Sequence, residues 1–437
     1  LRYRPFIRIS RLHRHLAQKR RAGQSHGIDV HIQHHQKGST AVQCPACPEP
    51  SFNISVEEIM AAKPEEKHKY TRSFAIDGCH SAQQLKKRDD PDNVALNAGS
   101  VYFVPRAPFR EYVSKQTGEP DPLHCTRLRA ARVQNILKFK NAIVTGIIGM
   151  ICTRHGLFQP RSIVDMDKGK GYHLADWIIY QVFMNYPALC WIFGSYDLWC
   201  IWIKNFFKRL DKNKDFFTDD ELLKLLESVT GAIPQGHIDG HGDDCKKKYH
   251  YAYTRFVAMS IGELVETPWA VEKLTGGMTR HVNDGHRHDI LDDFHAFWNW
   301  LKVQKLGLSL KLKWVKAVQM LGDLTGPHEE LTSSFEAAIV TEWRGLYVKP
   351  LPGPWDDDAK DLFVSRVAQK IPSFNSRISE QMTQEATRVV SKEGIDGVTD
   401  LLVTGIKLDA RRRKLVYLAS LKNPPKEKLK KLDSARQ

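Results

Sequence analysis

Three short stretches place acidic residues where a divalent-cation chemistry needs them. They are Phe74-Ala-Ile-Asp77-Gly, Phe193-Gly-Ser-Tyr-Asp197-Leu-Trp-Cys and Gly262-Glu263-Leu-Val-Glu266-Thr-Pro-Trp269. Carboxylate oxygens are hard ligands that suit Mg²⁺ or Mn²⁺, and a pair of such ions supports in-line displacement at phosphorus. A second set of donors is soft. Cys44-Pro-Ala-Cys47 and Cys152-Thr-Arg-His155 each leave two residues between donors, the spacing of a zinc knuckle, and Cys125 lies between them. Two such pairs could close a tetrahedral Cys₃His zinc site. The plainer reading leaves the pairs separate, with Cys152 a core thiol at the end of an apolar strand. A third group, His237, His241 and Cys245, is spaced by four, which on a helix would align all three. Gly236, Gly240 and Gly242 favour a loop instead. Gly285-His286-Arg287-His288-Asp289 offers donors for phosphate oxygens, and Arg411, Arg412 and Arg413 form a basic run that either meets phosphate or faces solvent.

These donors must be carried by regular elements. The first two acidic stretches read as apolar runs ending in Asp, the way a strand delivers a carboxylate to the rim of a sheet, and the third reads as a helix carrying Glu. Two Asp on strands and one Glu on a helix is the arrangement by which a ribonuclease-H-like α/β fold holds two cations. In the third stretch Ser260-Ile-Gly-Glu263 has the form of a capping box, which would occupy Glu263 with backbone N–H groups and favours Glu266. The two glutamates lie three apart and can share a helix face, and Pro268 is expected to kink that helix. Taken alone, Asp77-Gly78 is also a common turn pair.

Further strands are expected over 70–78, 100–104 and 141–152, and a charged loop over 84–93. Helices are expected over 128–140, 197–210 and 222–229, with a helix then a strand in 177–194 and a loop over 231–242. Phe294, Phe297 and Trp298 are expected in the core. From Leu301 the pattern is mostly helical, broken at Gly326-Pro327 and at the Pro-rich 349–354.

Composition limits the partners. The 437 residues are 42% hydrophobic, enough for a sizeable core, and the net charge of +15 favours a polyanion. The bland alternative is that Lys and Arg serve solubility. The greasiest stretch, Leu174 to Ile203, is interrupted by Asp176, Asn185, Pro187 and Asp197, so it reads as buried core and not as a membrane span. The first 21 residues are rich in Arg and His, without the apolar core of a secretory signal. The chain begins at Leu1, as a fragment or truncated gene would. Its eight Cys are then expected as thiols or metal ligands.

Taken together, Ala41 to Pro48, Phe74 to Gly78, Leu96 to Val104, Thr145 to His155, Asp165 to Tyr172, Gly194 to Asp197, Gly262 to Trp269 and Gly285 to Trp300 resemble, in order, a fungal Kyakuja–Dileera–Zisupton (KDZ) transposase with its cysteine-cluster region. The resemblance implies a ribonuclease-H-like core with an Asp, Asp, Glu triad, matched by Asp77, Asp197 and either Glu266 or Glu263. It also implies zinc chelation in the cysteine region, a His-x-x-x-His element that leaves a second metal site or a DNA-facing loop open at His237, His241 and Cys245, transposon-end and target DNA as partners, no membrane, and a nuclear location. Self-association is left open. The domains expected are a basic and cysteine-pair region over 1–69, whose Arg11 to Arg21 stretch reads as an arm on DNA, a nuclear-import signal or a helix end, a transposase core with zinc-binding and helical insertions over 70–300, and a helical region over 301–437. One departure from the family pattern follows Asp77, where Cys79-His80-Ser81 stands in place of Asn-Phe and a basic stretch. The rival expectation is therefore a degenerate relative that binds DNA and zinc without cutting.

Overall fold

The computed structural model describes residues 3–346, apart from 33–36, 64–65, 89–92, 117–124, 126–140, 168–170, 185, 187–188, 190, 252–253, 255–256 and 258–259. All the described residues belong to one unit, within residues 1–360. The helix expected over 128–140, the break at 349–354 and Arg411, Arg412 and Arg413 lie outside the described residues.

The core is a five-stranded mixed sheet. Its strands are β1 (Arg72–Cys79), β4 (Gly146–Cys152), β5 (Phe158–Met166), β6 (Ile192–Tyr196) and β7 (Val229–Ala232), and a separate ribbon pairs β2 (Gln84–Leu85) with β3 (Ala142–Val144). Spatial order is β5-β4-β1-β6-β7. β4 runs antiparallel to β1 and β5, whereas β1, β6 and β7 are mutually parallel. All seven residues of β4 are buried, as expected for a strand covered on both faces.

Period-two alternation splits the side chains into two layers. Phe74, Ile76, Ile148, Met150, Val164, Ile192 and Tyr196 join one core cluster. That layer is covered by α3 (Tyr172–Phe183), α4 (Trp199–Lys212) and α5 (Asp220–Leu226). Trp199 of α4 lies so close to the sheet that a Cβ at Gly194 or Gly231 would come within 2.3 or 2.5 Å of its ring. Only glycine leaves room for it. On the other face Ala75, Ile147, Ile151 and Ile163 pack with Val265, Trp269, Leu291 and Ala296. The last four belong to α8 (Glu266–Glu272), its approach, and α9 (Asp284–Gln304).

Several expectations are corrected. Residues 100–104 form no strand. Phe103 makes a single bridge to Ile163, and the Tyr102 and Phe103 N–H groups donate to Asp292 Oδ1 at 3.2 and 3.4 Å instead of to a ladder. β7 occupies the start of the segment expected as a loop. The basic N-terminal region is a helix, α1 (Tyr3–Arg21), docked on α9 through Arg11–Asp289 and Arg21–Asp293 pairs, both 2.7 Å. Those two arginines serve the fold and not an outstretched arm. α10 (Leu306–Ser333) continues through Gly326-Pro327, since one proline removes a single ladder bond while the flanking turns keep theirs. Phe297 is exposed under the Arg21 guanidinium, and Phe294 and Trp298 are only part-buried.

Candidate active site and metal centres

The sheet register sets the two aspartates side by side. Ile76 of β1 pairs with Tyr196 of β6, so the next residues along these parallel strands are Asp77 and Asp197. Both are part-buried, and both raise the pKa of the buried Tyr196 phenol after burial itself. By parity Asp77 shares its face with Ala75, and its cross-strand partner is Gly149. The Trp269 ring covers Gly149, 3.0 Å from where a Cβ would stand. That contact holds α8 against the sheet next to Asp77, and Glu266 begins α8 one turn before Trp269.

The approach to α8 is pinned in the same way. Gly262 has φ +78°, and a Cβ there would fall 2.4 Å from Ser195 Oγ and 2.7 Å from the Tyr251 hydroxyl. The backbone thus lies directly on β6, two residues before Asp197. Ser195 Oγ donates to the Gly262 carbonyl at 3.3 Å. No capping box forms at Ser260. Glu263 instead accepts from the Gly236 N–H at 2.6 Å, across from β7. Pro268 does not kink α8 either. It is the third helical residue, where a missing N–H costs nothing.

His237 completes this edge. It lies in α6 (Gln235–Ile238), just past β7, with Nε2 2.7 Å from Glu266 and 3.8 Å from Glu263. Burial opposes a charge on the ring, but Glu266, Asp197 and Glu263 outweigh it and raise the pKa above its ordinary value. His237, Glu263 and Glu266 present donor atoms within 4.8 Å of one another, a group that can hold a cation. Of the two aspartates, Asp197 is close enough to raise the His237 pKa, and neither joins the donors that meet within 4.8 Å.

Two soft centres are built elsewhere. Cys44, Cys47, Cys152 and His155 converge, with donor atoms within 4.8 Å of one another. His155 Nδ1 stands 3.3, 3.6 and 3.4 Å from the sulfurs of Cys44, Cys47 and Cys152, and Cys47 and Cys152 are 3.0 Å apart. A disulfide would need about 2.05 Å. Ligands around tetrahedral zinc stand about 3.8 Å apart for S···S and about 3.6 Å for N···S. The donor set therefore fits zinc. Cys152 ends β4, and the turn to β5 is closed by Cys152 N–H donating to the Leu157 carbonyl at 2.8 Å. A metal here would strap the 44–47 loop to that hairpin. Mutual hydrogen bonds hold the Cys152 thiol below its usual pKa and push Cys47 above it. Burial disfavours charge on His155, yet the neighbouring sulfurs raise it to about 9. Buried Arg72 supports the site, donating to the Pro48 carbonyl and Gln159 at 3.0 Å each and lying 3.8 Å over the Tyr186 ring.

The second centre regroups the residues expected together. Cys125 does not join the first cluster, and His237 does not join His241 and Cys245. Cys125, His241 and Cys245 meet Cys200 instead. Helix periodicity fails for 237–245 because α6 ends at Ile238 and α7 (Asp243–Tyr249) starts anew, turning His237 to the carboxylates and His241 to the sulfurs. Cys200 was not foreseen, because a lone Cys in an apolar helix reads as core.

The expected phosphate-binding cluster is also corrected in part. Arg287 is fully buried, donating to the Ala82 carbonyl at 2.6 Å and paired with Asp165. His288 lies 2.8 Å from Asp165 and stacks on Phe103 at 4.0 Å. His286 Nε2 accepts from Arg11 at 2.7 Å. These side chains bind the protein to itself, and Arg287 has no exposed surface to offer DNA.

Residues 70–299 match the family model described as KDZ: Kyakuja-Dileera-Zisupton transposase. The match covers more than half of the chain, which therefore belongs to this transposase family. No curated protein and no solved structure is matched. Among the described residues, no helix is long and apolar enough to cross a membrane.

Proposed function

We propose that the chain is a DNA transposase that cleaves and joins phosphodiesters at element ends in the nucleus, using Asp77, Asp197 and Glu266 to hold divalent cations. The single observation that carries this reading is the convergence at one sheet edge. Asp77 lies near the end of β1 and Asp197 just past the end of its parallel neighbour β6, and α8, locked by Trp269 over Gly149, brings Glu266 to the same face. The strand order and directions, three antiparallel strands extended by two parallel ones, support a ribonuclease-H-like reading of the core. Mg²⁺ or Mn²⁺ bound there supplies activation of the attacking oxygen and stabilisation of the leaving one.

The chain's own residues divide the work. Glu266 is half-exposed and starts its helix, where its carboxylate meets His237 and can face a cation. Glu263 is committed to the Gly236 N–H and positions the His237 segment. The excess of Lys and Arg supplies attraction to DNA, and the first Cys₃His cluster holds a structural zinc. In the segment that departs after Asp77, Cys79 is buried and its Sγ lies 2.9 Å from Ser81 Oγ.

The test compares Mg²⁺-dependent nicking and binding of DNA carrying the flanking element ends. Asp197→Ala and Glu266→Gln are expected to lose most of the cleavage rate and keep DNA affinity. Undiminished cleavage by Asp197→Ala would refute the assignment. A wild-type chain that binds these ends and never nicks them would identify a degenerate family member.

A further inference from the structure

We infer that Cys125, Cys200, His241 and Cys245 hold a second zinc ion, and that this ion positions Asp197 and His237 for the reaction proposed above. The positioning half of the inference rests on that proposal, while the zinc half does not.

The donor geometry comes first. His241 Nδ1 lies 3.4 Å from Cys200 and 3.7 Å from Cys125, and the Cys125 and Cys245 sulfurs are 3.9 Å apart. These separations match the edges of a tetrahedron around zinc, about 3.6 Å for N···S and about 3.8 Å for S···S. They are far from the roughly 2.05 Å of a disulfide. His241 is fully buried, and Cys125 and Cys200 are nearly so. An imidazole enclosed among three sulfurs is poor apolar packing and a complete Cys₃His ligand set.

Topology then says what the ion would do. Cys200 is the second residue of α4, three positions after Asp197. His241 follows His237 by four, with the Gly240 N–H donating to the His237 carbonyl at 3.0 Å. Cys245 sits in the first turn of α7. β6 and β7 are parallel neighbours, so the segments leaving their ends emerge side by side, one carrying Asp197 and the other His237. The far end of the second segment is tied back by the Ile233 N–H donating to the Tyr249 carbonyl at 2.8 Å. An ion bonded to Cys200 on one side and to His241 and Cys245 on the other fixes the separation between the two segments. It touches no substrate; its role is positional.

The experiment counts metal in the full-length protein and follows amide exchange. Wild type is expected to carry two zinc ions per chain, Cys44→Ser and Cys245→Ser one each. Cys245 is the least buried of the four ligands, which makes this the mildest disruption, and retention of the first ion reports that the variant has folded. Amides in 233–249 are expected to exchange at least tenfold faster in Cys245→Ser, with β1 and β4 unchanged, and nicking to fall at least tenfold. A wild-type count of one, or two ions retained in Cys245→Ser, overturns the site. One ion lost with exchange and nicking unaltered overturns its positioning role. If wild type nicks no DNA, the cleavage proposal fails, while metal count and exchange still decide the zinc site.

Discussion

Gly262→Ala probes the loop that brings the glutamates to the sheet edge. At φ +78° an alanine occupies the left-handed region, which costs roughly 1–2 kcal/mol. Its Cβ would also lie 2.4 Å from Ser195 Oγ and 2.7 Å from the Tyr251 hydroxyl, separations that force the loop or β6 to move. Overpacking of this kind costs a further 1–3 kcal/mol or about that. The sum, about 2–5 kcal/mol, predicts a melting point lower by several degrees. Because the loop leads directly into Glu263 and Glu266, its displacement is expected to lower Mg²⁺-dependent nicking by at least tenfold without changing zinc content. Gly277→Ala serves as the control. That glycine is helical with no atom within 4 Å of an added Cβ, and the substitution is expected to stabilise by about 0.4–1 kcal/mol. Denaturant melts and a nicking assay on both variants decide the matter. A Gly262→Ala protein as stable and as active as wild type would refute the argument that this loop is pressed against β6.

Other outcomes follow from buried charge. Asp165→Asn leaves the fully buried Arg287 guanidinium without its anionic partner and is expected to cost about 3–5 kcal/mol in urea unfolding. Burial, only partly offset by the Tyr102 and Phe103 N–H groups, pushes Asp292 up to about 7 from 3.8. The folded state thus keeps this proton longer than the unfolded state. The corresponding stability is complete below about pH 4 and is lost as pH rises through 7. Asp292→Asn should remove that slope from a plot of unfolding free energy against pH. Treatment with a zinc chelator is expected to expose the 41–48 segment to proteolysis while β1 and β6 stay protected, read by mass spectrometry of the fragments.

The legible parts of the fold were those with one dominant local signal. β1 and β6 announce themselves as apolar runs closed by Asp77 and Asp197, and α4 as an aromatic-faced helix. β5 escaped because Pro160 and Arg161, the latter at φ 53°, interrupt its alternation. β7 escaped because Gly231 reads as a breaker, when its lack of a side chain is what admits Trp199. Residues 100–104 carry strand composition, yet Tyr102 and Phe103 give their N–H groups to Asp292, a partner far along the chain. The same distinction runs through the sites. The spacing of Cys44, Cys47, Cys152 and His155 is local and visible as two pairs, and the structure joins them. Which cysteine completes the set around His241 depends on how α4 docks against α7, and no spacing rule in a single chain encodes that. Arg287 looked like a phosphate ligand because its neighbours are polar, but long-range packing made it the buried partner of Asp165.

The proposed chemistry requires Asp77, Asp197 and Glu266 to face one cation site. Affinity cleavage of the polypeptide tests this without knowledge of the DNA substrate. Fe²⁺ is loaded in place of Mg²⁺, and the chain is exposed to ascorbate and peroxide. Cuts clustered near residues 77, 197 and 266, all suppressed by excess Mg²⁺ and by Asp197→Ala, are the predicted result. Cuts at only one of these places, or a pattern that Asp197→Ala leaves intact, would contradict it.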